Sequence, residues 1–143
     1  MAATKPNALG APGYSETLPC VMESAGTARR LVRAALETWN LGTLVEDAEL
    51  VVSELASNSI THSGSRLMRV AVDRIGDYRV CIAVSDKSRQ APAAGHVSDE
   101  DESGRGLFLV EAFAERWDTD YRAWGKVVWA ELVAKPASCA EEK

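Results

Sequence analysis

The sequence predicts a single α+β domain in which helices form one layer and antiparallel strands form the other. Helical and strand-like segments are separated along the chain, in the order strand, two helices, two strands, a long loop, a helix and two strands. The β-rich segments come in neighbouring pairs joined by short turns that contain glycine, which is the pattern of antiparallel hairpins. This segregation is typical of a two-layer α/β sandwich.

Length and composition limit the organisation of the chain. Its 143 residues suit one domain. We expect residues 1–13, which have two prolines and no apolar run, to form a disordered tail. Residues 14–134 are expected to form the domain and residues 135–143 a polar tail.

Charge, cysteine content and hydropathy exclude several function classes. The net charge of −5 argues against nucleic acid as a direct partner, because nucleic-acid-binding proteins usually present a basic surface. The three cysteines are widely spaced, which indicates neither a disulfide framework nor a zinc site. No apolar run is long enough to cross a membrane. We therefore expect a cytoplasmic protein without a membrane partner.

Two amphipathic helices are predicted in the first half of the chain. Apolar residues recur at helical spacing over 23–39, and Gly42 is the predicted stop signal. A second helix is predicted from Leu44 to about Thr61. Thr43 and Glu46 match a capping box before it.

The second half alternates strands with one long loop and a short helix. The predicted strands of this half are 67–73, 78–85, 116–121 and 126–133, the loop is 87–103 and the helix is 106–114. An edge strand is also predicted in the first half of the chain, at 14–21. A loop of about 17 residues is uncommon in a compact domain and is often a lid or a binding loop.

Three polar residues of the second helix lie four positions apart. Glu54, Asn58 and His62 therefore share one helix face. An amide oxygen is a hard ligand suited to Mg²⁺, and a glutamate one turn away can accept a proton from a hydroxyl group or a water. A solvated helix face has the same pattern, so this spacing alone leaves both interpretations open.

Two further motifs are weak signals individually. Asp86 ends an apolar strand, where it could accept a hydrogen bond from an exocyclic amine such as that of adenine, or simply initiate a turn. Gly104-Arg105-Gly106-Leu107 joins the long loop to a helix. Glycines let backbone N–H groups approach phosphates, and Arg105 could add a phosphate contact, although the segment could equally be a hinge.

In combination these motifs resemble one superfamily. The stretch ELVVSELASN at 49–58 and the stretch GRGLFLV at 104–110 resemble the N box and the G2 box of the histidine-kinase-like (GHKL) ATPases. Within that superfamily the chain is most similar to the anti-sigma-factor serine/threonine kinases and their actinobacterial relatives. GKVVWAEL at 125–132 resembles their closing strand, and the likeness covers residues 14–133. It implies the Bergerat-type two-layer α/β sandwich, with helices on one face of a mixed, mostly antiparallel sheet.

The resemblance implies a role for each matching residue, with ATP and Mg²⁺ as cofactors. Asn58 would ligate Mg²⁺, Glu54 would be the base that polarises the attacking hydroxyl group, and Asp86 would hold the adenine amine. The phosphates would be cradled, as loop 87–103 closes over them, by Gly104, Arg105, Gly106 and Leu107. His62 would have a structural or supporting role.

The resemblance also implies protein partners. The acceptor would be a serine on an anti-anti-sigma (STAS-type) protein, which would compete with a sigma factor, and a homodimer is expected. Arg29, Arg30 and Arg33 form either a solvated basic face of the first helix or a partner surface. An alternative function is a catalytically weak or inactive interaction module that binds the same partners without kinase turnover.

The chain departs from the family pattern at two places. The first glycine box usually reads D-x-G-x-G, but residues 86–90 read DKSRQ and lack both glycines. The closing strand often has a threonine after Gly-Lys, where this chain has Val127. Both departures predict weakened adenine binding.

Overall fold

The computed structural model describes residues 3–6, 12–88 and 102–134, with side chains at 13–88 and 107–134. It confirms the α+β class. The strands are β1 Ala3–Pro6, β2 Pro12–Pro19, β3 Leu67–Gly76, β4 Arg79–Asp86, β5 Arg116–Arg122 and β6 Gly125–Val133. The helices are α1 Glu23–Thr38, α2 Val45–His62 and α3 Glu102–Phe113, with a short 3₁₀ turn at Gly42–Leu44 before α2.

The six strands form one sheet in the order β1-β2-β3-β4-β6-β5. Every neighbouring pair is antiparallel, so the described sheet is antiparallel throughout, whereas the family resemblance implies a mixed sheet. Strand β1 lies inside segment 1–13, for which the sequence predicts a tail, and it pairs with β2. Strand β4 lies in the interior of the sheet, between β3 and β6.

The core lies between the helices and one face of the sheet. In β4, buried residues alternate with partly exposed ones, because successive side chains of a strand point to opposite faces. Val80, Ile82 and Val84 are buried in the core. Asp86 is next in this alternation and is also buried. Its carboxylate therefore lies on the core face of the sheet, at the C-terminal end of β4.

The end of α1 differs from the prediction. The helix ends at Thr38, and Asn40, rather than Gly42, has the left-handed conformation that closes it, with φ of 61°. The N–H of Asn40 donates to the carbonyl of Glu37 at 3.1 Å and the N–H of Leu41 to that of Leu36 at 2.8 Å. These two bonds define a Schellman motif, in which asparagine can replace glycine.

The predicted capping box is wrong, although α2 itself is confirmed to within one residue at each end. Helix α2 begins at Val45, and no side chain caps its first turn. Thr43 lies instead within the 3₁₀ turn, where the N–H of Leu44 donates to the carbonyl of Leu41 at 3.0 Å. The backbone of the turn therefore leads directly into the helix.

Helix α3 begins at Glu102, four residues before the predicted start at Gly106. Burial of Leu107 and Val110 in the core stabilises this helix, and stabilisation by packing commonly outweighs the low helix propensity of glycine. The predicted loop is correspondingly shorter, and its residues 89–101 lie outside the described residues.

The basic residues of α1 contact α2. Arg29 donates to the hydroxyl group of Ser53 at 2.9 Å, and Arg33 pairs with the carboxylate of Glu49 at 2.9 Å. Two of the three arginines are therefore part of the packing between the helices, in addition to being exposed to solvent.

Candidate nucleotide-binding site

The polar face of α2 holds the first part of the site. Asn58 is 7% exposed, and Glu54 one turn earlier is half-buried. Burial raises the pKa of Glu54, because desolvation disfavours the charged carboxylate. His62 is half-exposed at the last residue of the helix. An amide oxygen and a carboxyl group with a raised pKa thus lie one turn apart, a set that can bind a hard cation and accept a proton.

Asp86 forms a second part of the site, and both oxygens of its carboxylate accept hydrogen bonds. Its side chain accepts a short hydrogen bond from the hydroxyl group of Ser59, which follows Asn58 on α2. The ammonium group of Lys126 lies 3.0 Å from Oδ1 and 3.2 Å from Oδ2. The backbone N–H of Ser88 also donates to Oδ1 at 2.9 Å. Strands β4 and β6 and helix α2 therefore meet at one carboxylate.

Lys126 is the site residue that sequence reasoning missed. In the register of β6 on β4, Lys126 lies opposite Asp86, whereas Val127 lies opposite Ser85. Val127 consequently points to the other face of the sheet from Asp86, so the lack of a threonine at this position would remove no contact to a base held by Asp86. The missed signal is the alternation of β6, in which Lys126 is in phase with the buried core residues Val128, Ala130 and Leu132.

Gly125 allows the close approach of β6 to the end of β4. A Cβ atom at this position would lie 2.0 Å from the carbonyl oxygen of Asp86 and 2.7 Å from the Cα of Lys87. Both are backbone atoms that cannot move aside, so only glycine fits. The N–H of Lys87 also donates to the hydroxyl group of Ser65 at 2.9 Å, which ties the segment after β4 to the turn after α2.

The structure brings together part of the set predicted from sequence. Asp86 at the end of β4 is linked to α2 through Ser59, the residue after Asn58, and Glu54 lies one turn before Asn58 on that helix. Residues 104–106 lie in the first turns of α3, which packs on α2, and their side chains are outside the described part. The side chain of Leu107 is 1% exposed within the core, so only its backbone could contact a ligand.

Comparison with known proteins gives the class of this domain. The family model described as histidine kinase-like ATPase domain matches residues 18–132. The chain therefore belongs to the histidine kinase-like ATPase domain family, which confirms the resemblance drawn from its motifs. No curated protein matches the sequence.

A solved structure is similar in fold. The crystal structure of the RsbU and RsbW domains of Rv1364c from Mycobacterium tuberculosis matches with a TM-score of 0.66 and 21% identity. The match covers 89% of this chain and 34% of that chain, so this chain spans about a third of that length. At this identity the likeness shows the shared fold.

The described residues fit the two ends of a magnesium nucleotide unequally. Asn58 supplies an amide oxygen that suits Mg²⁺ carrying phosphates, since this ion keeps several waters and takes few protein ligands, and Glu54 supplies a carboxyl group that can accept a proton. At the base end, the carboxylate of Asp86 already accepts bonds from three groups. Within the described part of the chain, no helix could span a bilayer, and no cluster of three or more His, Cys, Asp or Glu side chains could hold a metal.

Proposed function

We propose that this domain binds ATP with Mg²⁺, phosphorylates a serine on an anti-anti-sigma (STAS-type) partner and sequesters a sigma factor. The observation that carries the proposal is that half-buried Glu54 and buried Asn58 lie one turn apart on α2, where the next residue, Ser59, bonds to Asp86, in a chain of the histidine kinase-like ATPase domain family. The identity of the partners rests on the resemblance of the sequence motifs to anti-sigma-factor kinases.

In the proposed reaction, each residue of α2 has a distinct task. The amide oxygen of Asn58 would hold the metal, which neutralises phosphate charge when bound. Glu54 would take the proton of the serine hydroxyl group as its oxygen bonds to the γ-phosphorus and the bond from that phosphorus to the ADP oxygen breaks. Burial suits Glu54 to this task, because a base with a raised pKa holds a transferred proton more tightly.

The phosphate end of the proposed site would be completed by the start of α3. The N–H groups in the first turn of a helix lack intrahelical acceptors and favour anions. Gly104 lies in this first turn, whereas Gly106 begins the second turn. We therefore assign the backbone of Gly104 a phosphate contact and Arg105 a supporting charge.

Phosphoryl transfer to candidate STAS-type proteins from γ-labelled ATP tests the proposal. We expect labelling of a partner serine that Glu54→Gln lowers by about 100-fold or more, the usual contribution of a positioned base. Glu46→Gln is the matched control, because Glu46 is an exposed glutamate on the same helix. Equal labelling by Glu54→Gln and the control would remove Glu54 from the mechanism.

A second candidate function follows from the bonded state of Asp86. If nucleotide cannot gain access to this carboxylate, the domain is an interaction module that binds a sigma factor or an anti-anti-sigma partner without turnover. Partner binding that is unchanged by ATP, together with no labelling of any partner, would favour this function over the kinase.

A further inference from the structure

We propose that Lys126 competes with the adenine amine for the carboxylate of Asp86. Lys126 thereby sets both the nucleotide affinity and the base selectivity of the site. The proposal rests on the proposed nucleotide-binding function. It concerns a residue that faces the base end of the site from β6, opposite Asp86 in the register of the two strands.

The first step is the acceptor capacity of Asp86. A carboxylate has two oxygens with about four lone-pair positions in total. Oδ1 accepts from Lys126 and from the N–H of Ser88, and Oδ2 accepts from Ser59 and from Lys126. These four bonds fill the capacity, and an adenine amine can bond to Asp86 only by displacing one donor.

The second step is the burial of the ion pair. The side chains of Lys126 and Asp86 are 4% and 3% exposed. Moving the ammonium group away from its partner in such surroundings leaves a buried charge uncompensated, which is strongly unfavourable. Any base that bonds to Asp86 in place of Lys126 therefore binds with lowered affinity, because part of the binding free energy separates the pair.

The third step concerns selectivity among purines. A site that reads an amine through a free acceptor strongly discriminates against an analogue that lacks the amine. Because both oxygens of Asp86 already accept hydrogen bonds, the adenine amine adds little to the free energy of nucleotide binding. We therefore expect this chain to bind ATP and purine riboside triphosphate, which lacks only the 6-amino group, with similar affinity.

The test is calorimetric titration of the full chain and its variants with each nucleotide in Mg²⁺. We expect Lys126→Thr to bind ATP about 10- to 100-fold more tightly, the gain from one restored charge-assisted hydrogen bond. The same variant should prefer ATP over purine riboside triphosphate by at least about tenfold. Lys126→Met keeps the packing of the aliphatic stem and takes the place of the threonine variant if that does not fold.

Two controls separate the role of Lys126 from general effects. Ser59→Ala frees one acceptor position on Oδ2 but leaves the buried ion pair, so we expect a smaller gain in ATP affinity, no more than about fivefold. Arg122→Thr removes one positive charge from the exposed pair of Arg122 and Asp120, which both lie in β5, the strand next to β6. We expect no change in ATP affinity. Equal gains from either control would overturn the proposal.

The remaining outcomes distinguish this inference from the proposed function. ATP binding by the unaltered chain that is weakened by Lys126→Thr would show that Lys126 donates to the base, which overturns the inference and leaves the function standing. A preference of the unaltered chain for ATP of more than tenfold over the purine analogue would also overturn it. Binding to neither the unaltered chain nor the variants would overturn both.

Discussion

Breaking the ion pair between Lys126 and Asp86 should lower the stability of the domain much more than breaking a surface pair. Lys126→Met leaves the carboxylate buried with only the donors of Ser59 and Ser88. Removing one partner of a buried pair costs about 3–5 kcal/mol. Since the two remaining hydrogen bonds partly compensate the charge, we expect a loss near the lower end, about 3 kcal/mol.

Urea unfolding of matched variants measures this effect. Arg122→Met breaks a pair whose side chains are 52% and 49% exposed at 3.7 Å, and it should cost less than about 1 kcal/mol. The double variant Asp86→Asn/Lys126→Met buries no charge and should recover at least about 1 kcal/mol relative to Lys126→Met. A cost below about 1 kcal/mol for Lys126→Met, or a double variant no more stable than the single one, would refute the reasoning.

Three further predictions concern other features. Gly125→Ala should destabilise the fold by about 1–3 kcal/mol in urea unfolding because the new Cβ meets backbone atoms, and an unchanged midpoint would contradict the close approach. Because burial raises the folded-state pKa of Glu54, the stability of the domain should fall as the pH rises from about 4.3 through that higher pKa. In urea unfolding, Glu54→Gln should therefore gain stability relative to the unaltered chain as the pH rises from about 4 to about 7, and the opposite sign would refute the desolvation. Burial, with the negative charges of Glu131 and Asp73, raises the pKa of Cys81 to about 12. Because the thiolate is the reactive form, Cys81 should be alkylated at about pH 8 roughly a thousandfold more slowly than in denatured protein, as measured by mass spectrometry.

The fold was largely predictable because its signals are local. The apolar periodicity of α1 and α2 and the paired β-rich segments depend on nearby residues, and both helices are confirmed. The errors concern competition between local motifs. Thr43 occupies the position of a capping residue in the sequence motif. In the structure it lies within the 3₁₀ turn and does not cap α2. Gly104 precedes the predicted start of the helix at Gly106, but α3 begins at Glu102 and includes Gly104.

Spacing along the sequence predicted which candidate residues share an element, and the resemblance of the motifs added Asp86 and residues 104–107 on other elements. Glu54 and Asn58 are four residues apart on a single helix, so their spacing places them on one face of it. Lys126 is 40 residues from Asp86 along the chain, and the register of β6 on β4 brings the two together. Because register depends on pairing across the whole sheet, the sequence indicated only that position 126 is in phase with buried residues.

The measurement that tests the central claim most directly is titration of the chain with ATP by calorimetry, with and without Mg²⁺, alongside Asn58→Ala. Ser57→Ala is the matched control, a half-buried neighbour on the same helix. We expect binding that requires Mg²⁺, is lost in Asn58→Ala and is retained in Ser57→Ala. ATP binding that is unaffected by Mg²⁺ and by Asn58→Ala would contradict the assignment of the α2 face as the nucleotide site.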